Sequence, residues 1–251
     1  MPFRITNESI YLGIAILFIT APNIAHIILS ALLEDSFAIP YLIITCSFFC
    51  LNIFLLFKTS CSNPGYLSKN SSLPEETTGV IEINGITVRL KLCNTCNILK
   101  PPRVHHCKVC DFCVDRQDHH CPWVANCIGR KNHREFVMLL LFSTLESAYL
   151  IVAELCVAII TDDPPGRYAG EIILIVYGAI MFWSVGGLLL YQLYLIFLNK
   201  TTHEHRRRIF GNDNPFKYGC CKNLLLFCSM KAETPASKPS PQINNQIEEN
   251  S

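Results

Sequence analysis

Between Cys93 and Cys127 the chain carries seven cysteines and four histidines, in the order Cys93, Cys96, His105, His106, Cys107, Cys110, Cys113, His119, His120, Cys121, Cys127. Three Cys-x2-Cys steps packed this closely have the spacing of tetrahedral zinc sites, because two intervening residues let a tight turn aim both sulfurs at one ion. Two Cys3His sites would use six cysteines and two histidines and leave one cysteine over. A thiol held by a metal-built scaffold but not needed by it is what a nucleophilic enzyme requires. Cys121, directly after Asp118, His119 and His120, is the natural candidate. Spacing alone leaves a second reading open, a purely structural zinc module with a spare cysteine.

The surrounding residues narrow the choice. Cys93-Asn94-Thr95-Cys96, Lys100-Pro101-Pro102-Arg103, His105-His106-Cys107, Cys110, Cys113, Asp118-His119-His120-Cys121-Pro122-Trp123-Val124, Asn126-Cys127-Ile128-Gly129, Asn132 and Phe136 together resemble the DHHC-type protein S-acyltransferases, also called palmitoyltransferases. Counting cannot choose ligands among the histidines. The resemblance implies Cys93, Cys96, His106 and Cys113 for one zinc ion, and Cys107, Cys110, His120 and Cys127 for the other.

His119 and Asp118 are then left for chemistry. A thiol with a free pKa near 8.5 is mostly protonated at neutral pH, so it needs a histidine to take its proton and a carboxylate to hold that histidine in the right tautomer. The resemblance further implies two thioester exchanges in ping-pong order: Cys121 takes a long-chain acyl group, palmitoyl, from acyl-CoA, and a cysteine of a second, membrane-associated protein takes it from Cys121. Lys91, Lys100, Arg103 and His105 are implied as the basic patch for CoA phosphates, with Arg130, Lys131 and Arg134 available to it or to anionic lipid. Thr201-Thr202-His203-Glu204 matches a Thr-Thr-x-Glu motif in which Thr202 supports Asp118. Asn223 matches a buried asparagine that satisfies backbone groups.

Such a site needs elements to carry it. Half of the 251 residues are hydrophobic and only 16% are charged, with a positive mean hydropathy of +0.30. Apolar runs at 10–33, 37–57, 136–160 and 172–198 are each long enough to cross a hydrocarbon core of about 30 Å at about 1.5 Å per residue. The expected fold is an all-α membrane protein: four transmembrane helices, with a cytosolic zinc-stabilised cysteine-rich segment of short β-hairpins between helices 2 and 3. The expected division is 1–57 for helices 1 and 2, 58–134 for the linker and cysteine-rich domain, 135–198 for helices 3 and 4, 199–232 for C-terminal motifs and 233–251 for a disordered tail rich in Pro, Ser, Asn, Gln and Glu. Asn84-Gly85 between alternating apolar residues reads as a hairpin over 80–92.

Residues 58–134 hold 11 Lys or Arg, whereas the connections after the first and third runs carry Glu34, Asp35, Asp162 and Asp163. The positive-inside rule places the cysteine-rich segment and both termini in the cytosol, and the first run reads as an anchor rather than a cleaved signal. Fourteen cysteines in that compartment do not indicate disulfides. Cys61, Cys220, Cys221 and Cys228, near membrane boundaries, could carry acyl groups themselves, while Cys46, Cys50 and Cys156 read as packing residues. Glu146, Glu154 and His26 lie within apolar runs and must face the bundle, since a carboxylate facing lipid costs about 2.5 to 3.5 kcal/mol. A formal net charge of +1 beside a membrane argues against nucleic acid. The expected setting is a multi-pass protein of the endoplasmic reticulum or Golgi membrane, with an accessory subunit possible. A membrane scaffold with a non-catalytic zinc module is the rival class; it would be expected to lack Asp118, His119 or Cys121, and all three are present.

Overall fold

The computed structural model describes residues 7–31, 38–75, 77–160, 165–211 and 213–230. Four long helices, α1 (Asn7–Ala31), α2 (Ala38–Cys61), α3 (His133–Ile160) and α4 (Pro165–Phe197), are long and apolar enough to cross a membrane. Each outer face presents large apolar side chains, among them Leu17, Ile43, Ile173 and Trp183, a pattern that suits lipid and not water. α2 and α3 overrun their apolar runs by about a turn at the ends that flank the cysteine-rich segment. α3 begins three residues before Phe136 and α2 continues to Cys61, because a polar first or last turn stays helical at the interface.

The buried carboxylates do face inward. Asn23 and Asn52 donate to the two oxygens of Glu146 at 2.5 and 2.6 Å, joining α1, α2 and α3. His26 Nδ1 lies 2.5 Å from Glu154. Each polar group finds its partner on another helix, as an apolar surrounding requires. Cys46 and Cys50 depart from expectation: both lie on the exposed face of α2, where a small apolar thiol is compatible with lipid.

Between α2 and α3 lie seven short strands: β1 (Thr78–Ile83), β2 (Ile86–Cys93), β3 (Ile98–Lys100), β4 (His105–Cys107), β5 (Phe112–Val114), β6 (His119–Cys121) and β7 (Asn126–Ile128). They pair antiparallel as β1-β2-β3, β4-β5 and β6-β7. Asn84 and Gly85 turn the first hairpin with φ of 51° and 75°, the left-handed pair of a type I′ turn. Asn97 and Asp111, each one residue past a Cys-x2-Cys, also have positive φ, a conformation that Asn and Asp tolerate best after glycine.

Side-chain amides moor this segment to the bundle. Asn126 Nδ2 donates to the carbonyls of Thr59, Ser60 and Ser62 at 2.8–3.1 Å, satisfying acceptors left over at the end of α2. Asn63 Oδ1 accepts from the N–H groups of Gly65 and Tyr66, so a neutral amide closes the turn. At Gly129 a Cβ would meet the Pro64 carbonyl and Val114 at 2.6 Å, so only glycine lets these backbones approach.

Past α4, α5 (Thr202–Arg207) opens with a capping box in which Thr201 and Glu204 bond each other's backbone N–H. Then comes α6 (Cys220–Ser229). Asn223, nearly fully buried, donates to the Phe197 carbonyl at 2.8 Å and accepts from Tyr218 N–H at 3.1 Å. The acidic residues Glu34, Asp35, Asp162 and Asp163 and the tail 233–251 lie outside the described residues.

Candidate active site and metal centres

The two expected ligand sets are the two groups the fold assembles. In Cys93, Cys96, His106 and Cys113, and in Cys107, Cys110, His120 and Cys127, all ligand atoms lie within 4.8 Å of one another. In the second group His120 Nδ1 lies 3.6, 3.4 and 3.5 Å from the sulfurs of Cys107, Cys110 and Cys127. In the first, His106 Nδ1 lies 3.4 Å from Cys96 and 3.9 Å from Cys113. A tetrahedral zinc ion with Zn–S of about 2.3 Å and Zn–N of about 2.0 Å has ligand–ligand edges of about 3.5 to 3.8 Å. The donor set and spacing fit that ion.

Pleating explains how the two groups interleave. His106 and Cys107 are consecutive in β4, so they point to opposite faces and serve different groups. Ladder partners supply the rest: His106 stands opposite Cys113, and His120 opposite Cys127. Both histidines turn Nδ1 to the sulfurs, leaving Nε2 for an outer partner. For His120 this is Glu8 of α1, with Oε1 at 2.8 Å; for His106 it is Asp111, at 3.6 Å. Carboxylates in that position fix ring orientation and tautomer.

The same alternation sorts β6. His120 points to the metal group, so its neighbours His119 and Cys121 share the other face. Asp118 Oδ2 lies 2.7 Å from His119 Nδ1, and the Phe136 ring meets the imidazole edge-on. Asp118 is completely buried and has four donors: His119, the backbone N–H and hydroxyl of Thr202 at 2.7 and 2.8 Å, and Gln192 Nε2 at 3.2 Å. Burial alone would push its carboxyl up, but the facing His133, the His119 bond and the Thr202 N–H outweigh it and hold it far below the usual carboxylate range. Burial alone would likewise lower His119; Asp118 and Cys121 reverse this and raise it to about 9. With Nδ1–H on the carboxylate, Nε2 is the basic atom.

Cys121 is buried at the seam between two environments. On one side are His119 and Asp118. On the other, Leu55, Leu56, Val124, Phe136, Val137 and Leu140 form the apolar core it belongs to. A polar cavity of about 460 Å³ opens beside the pair, lined by His119, His120, Thr202, His203, Arg206 and Arg207 among others.

The four residues expected around phosphates are divided. Lys91 and Lys100 face each other across β2 and β3. His105 stacks on His203 with ring centroids 3.9 Å apart, and its Nε2 has no hydrogen-bond partner among the described residues. Burial, then His203 and the cations Lys100, Arg103 and Lys91, lower His105 to about 3, so it is neutral. Arg103 is engaged elsewhere: it donates to both oxygens of Glu204 at 2.7 and 2.8 Å and to Asn199 at 3.0 and 3.1 Å, beneath the Phe216 ring. Its fork links the cysteine-rich segment to α5. Sequence alone gives no role to Glu8 and Gln192, which touch His120 and Asp118, or to His133 and Arg116, which stand behind Gln192. For Glu8, Gln192 and His133 the signal is a polar residue in or beside an apolar run.

Residues 86–209 match the protein family described as DHHC palmitoyltransferase. Similar proteins from Arabidopsis thaliana include protein S-acyltransferase 8, 34% identical over 225 residues and covering 77% of this chain and 53% of that protein. Probable protein S-acyltransferase 2 is 34% identical, covering 77% of this chain and 53% of that protein. Probable protein S-acyltransferase 6 is 34% identical over 272 residues, covering 92% of this chain and 66% of that protein. The chain spans about half the length of most of the curated relatives it matches.

Proposed function

We infer, because this chain belongs to the DHHC palmitoyltransferase family, that it is a multi-pass membrane S-acyltransferase moving a long-chain acyl group, palmitoyl, from acyl-CoA to cysteines of other proteins. One observation carries the reading. His119 and Cys121 share one face of β6, with Asp118 just before the strand bonded to His119 Nδ1 at 2.7 Å, while His120 between them serves the metal group.

The chemistry follows from that unit. His119 Nε2 accepts the Cys121 proton, and the sulfur attacks the carbonyl carbon of the acyl-CoA thioester. A new C–S bond forms, the bond to the CoA sulfur breaks, and the departing thiolate takes the proton back from His119. In the second half a cysteine thiol of the acceptor protein gives its proton to His119 and displaces Cys121 in the same way. Both halves exchange one thioester for another, so no nucleotide hydrolysis is needed. Asp118 keeps the proton on Nδ1 and stabilises the imidazolium formed in each half.

Each solvent meets its own part of the substrate. The apolar core around Cys121 suits the fatty chain, whose transfer from water is favourable by about 0.8 kcal/mol per buried CH2. Lys91, Lys100 and His105 suit CoA phosphates, whereas the charge of Arg103 is already matched by Glu204. Two zinc ions, when bound, would cross-link the strands; four protein ligands close each site, which is the pattern of structural zinc. Lysine and arginine placement supports a cytosolic site and cytosolic termini; the family resemblance supports an endoplasmic reticulum or Golgi membrane and membrane-associated acceptor proteins. The test is purification in detergent with labelled palmitoyl-CoA followed by mass spectrometry of the Cys121 peptide. Label on that peptide supports the reading, and label confined to other cysteines overturns it.

A further inference from the structure

Asp118 is tied to more than α5. Gln192 of α4 is 1% exposed, and its Nε2 donates to Asp118 Oδ2 and to Thr202 Oγ1, both at 3.2 Å. Its Oε1 lies 3.0 Å from Nε2 of His133, the first residue of α3 and itself 1% exposed. His133 Nδ1 lies 3.4 Å from the Arg116 guanidinium. Arg116 in turn reaches Asn199, which also binds Arg103.

The donors in this chain have only one consistent direction. A guanidinium only donates and a carboxylate only accepts. Arg116 must therefore donate to His133 Nδ1, His133 must carry its hydrogen on Nε2 and donate to Gln192 Oε1, and the Gln192 amide must turn its nitrogen to Asp118. No member can flip without leaving a buried group unpaired, which costs about 1 to 3 kcal/mol. Thr202 reaches both carboxylate oxygens from α5; Gln192 adds a donor to Oδ2 from a separate element, α4.

We propose that Gln192, oriented by His133, is a positioning residue for acyl transfer: it fixes the Asp118 carboxylate against His119 and so makes the α3–α4 contact part of the catalytic machinery. This rests on the function proposed above for Asp118 and His119. It adds that a membrane helix, and not only the cysteine-rich segment, sets the geometry of the nucleophile's base. Neither Gln192 nor His133 touches a reacting atom.

The test is single-turnover acylation of Cys121 by labelled palmitoyl-CoA in the full chain, with metal content measured alongside, for Gln192→Met, Asp118→Asn and the double variant. Gln192→Met keeps the length and loses all three hydrogen bonds. It should slow the rate constant by about 10- to 100-fold, as loss of an outer-shell partner does, with unchanged KM for palmitoyl-CoA and full metal content. In the Asp118→Asn background the same change should have less than about a twofold effect. A residue that merely packs would lose rate by the same factor in both backgrounds, and that result overturns the proposal, as does a wild-type rate in Gln192→Met. Should Gln192→Met not fold, the isosteric Gln192→Glu is read instead: slow acylation with metal retained supports the proposal, and a wild-type rate overturns it. Label that persists in a Cys121→Ser control would overturn the proposed function itself, a result distinct from any of these.

Discussion

Thr202 closes on Asp118 with both of its donors: the backbone N–H meets Oδ1 at 2.7 Å and the hydroxyl meets Oδ2 at 2.8 Å, across 84 residues of sequence. The capping box at Thr201 and Glu204 holds this N–H in place, since it starts α5 at the carboxylate. Replacing Thr202 by Val keeps the shape and the backbone donor and removes only the hydroxyl. Acylation should slow by about tenfold, less than in Asp118→Asn, with metal content unchanged. Single-turnover kinetics on the two variants checks the order.

His119→Ala should retain both metal ions yet form acyl-enzyme slowly, by the roughly 10²–10⁴-fold typical of a lost general base. Raising the pH toward the free thiol value of about 8.5 should recover part of the rate. Stability should respond with a definite sign. His119 is raised from about 6.5 to about 9, so its pairing with Asp118 contributes fully below about pH 6.5 and fades as pH rises through about 9. The melting-temperature deficit of His119→Ala should therefore be larger at pH 6 than at pH 9.5.

Glu8 stands 2.8 Å from His120 Nε2 although 112 residues separate them. Glu8→Gln should weaken retention of the metal held by Cys107, Cys110, His120 and Cys127 by about 10- to 100-fold, leaving the other group unaffected. Metal release into a chromogenic chelator, read as a biphasic time course with only one phase accelerated, checks this.

Arg103 and Glu204 form a buried two-pronged pair. Arg103→Ala leaves the Glu204 carboxylate buried without its partner, which costs about 3 to 5 kcal/mol. The expected signature is a lowered melting temperature and poor yield, with KM for palmitoyl-CoA little changed in whatever folds. Lys100→Ala should show the reverse, a raised KM at normal stability.

What the residues disclose on their own follows from the range of the interactions. That two metal groups form here was legible from the local Cys-x2-Cys spacing, but which histidines serve them came only from the family resemblance, because seven cysteines and four histidines offer more donors than eight places. The four spans were legible because apolar length is a composition property. The partition of His119 and Cys121 from His120 needs only the pleat of a three-residue strand, yet nothing in the sequence marks that strand. Gln192 and Glu8 meet their partners across 74 and 112 residues, so a lone amide in an apolar run said only that it faces inward. The resemblance implies Arg103 for CoA phosphates, and its engagement by Glu204, 101 residues away, is not visible in sequence.

The central claim is that Cys121 is the cysteine the metals do not need. Intact-protein mass spectrometry of Cys121→Ser after exposure to palmitoyl-CoA, with metal analysis of the same sample, tests it most directly. The account predicts no acyl adduct at position 121 and both metal ions retained; loss of one ion, or an undiminished thioester-linked adduct elsewhere, would contradict it.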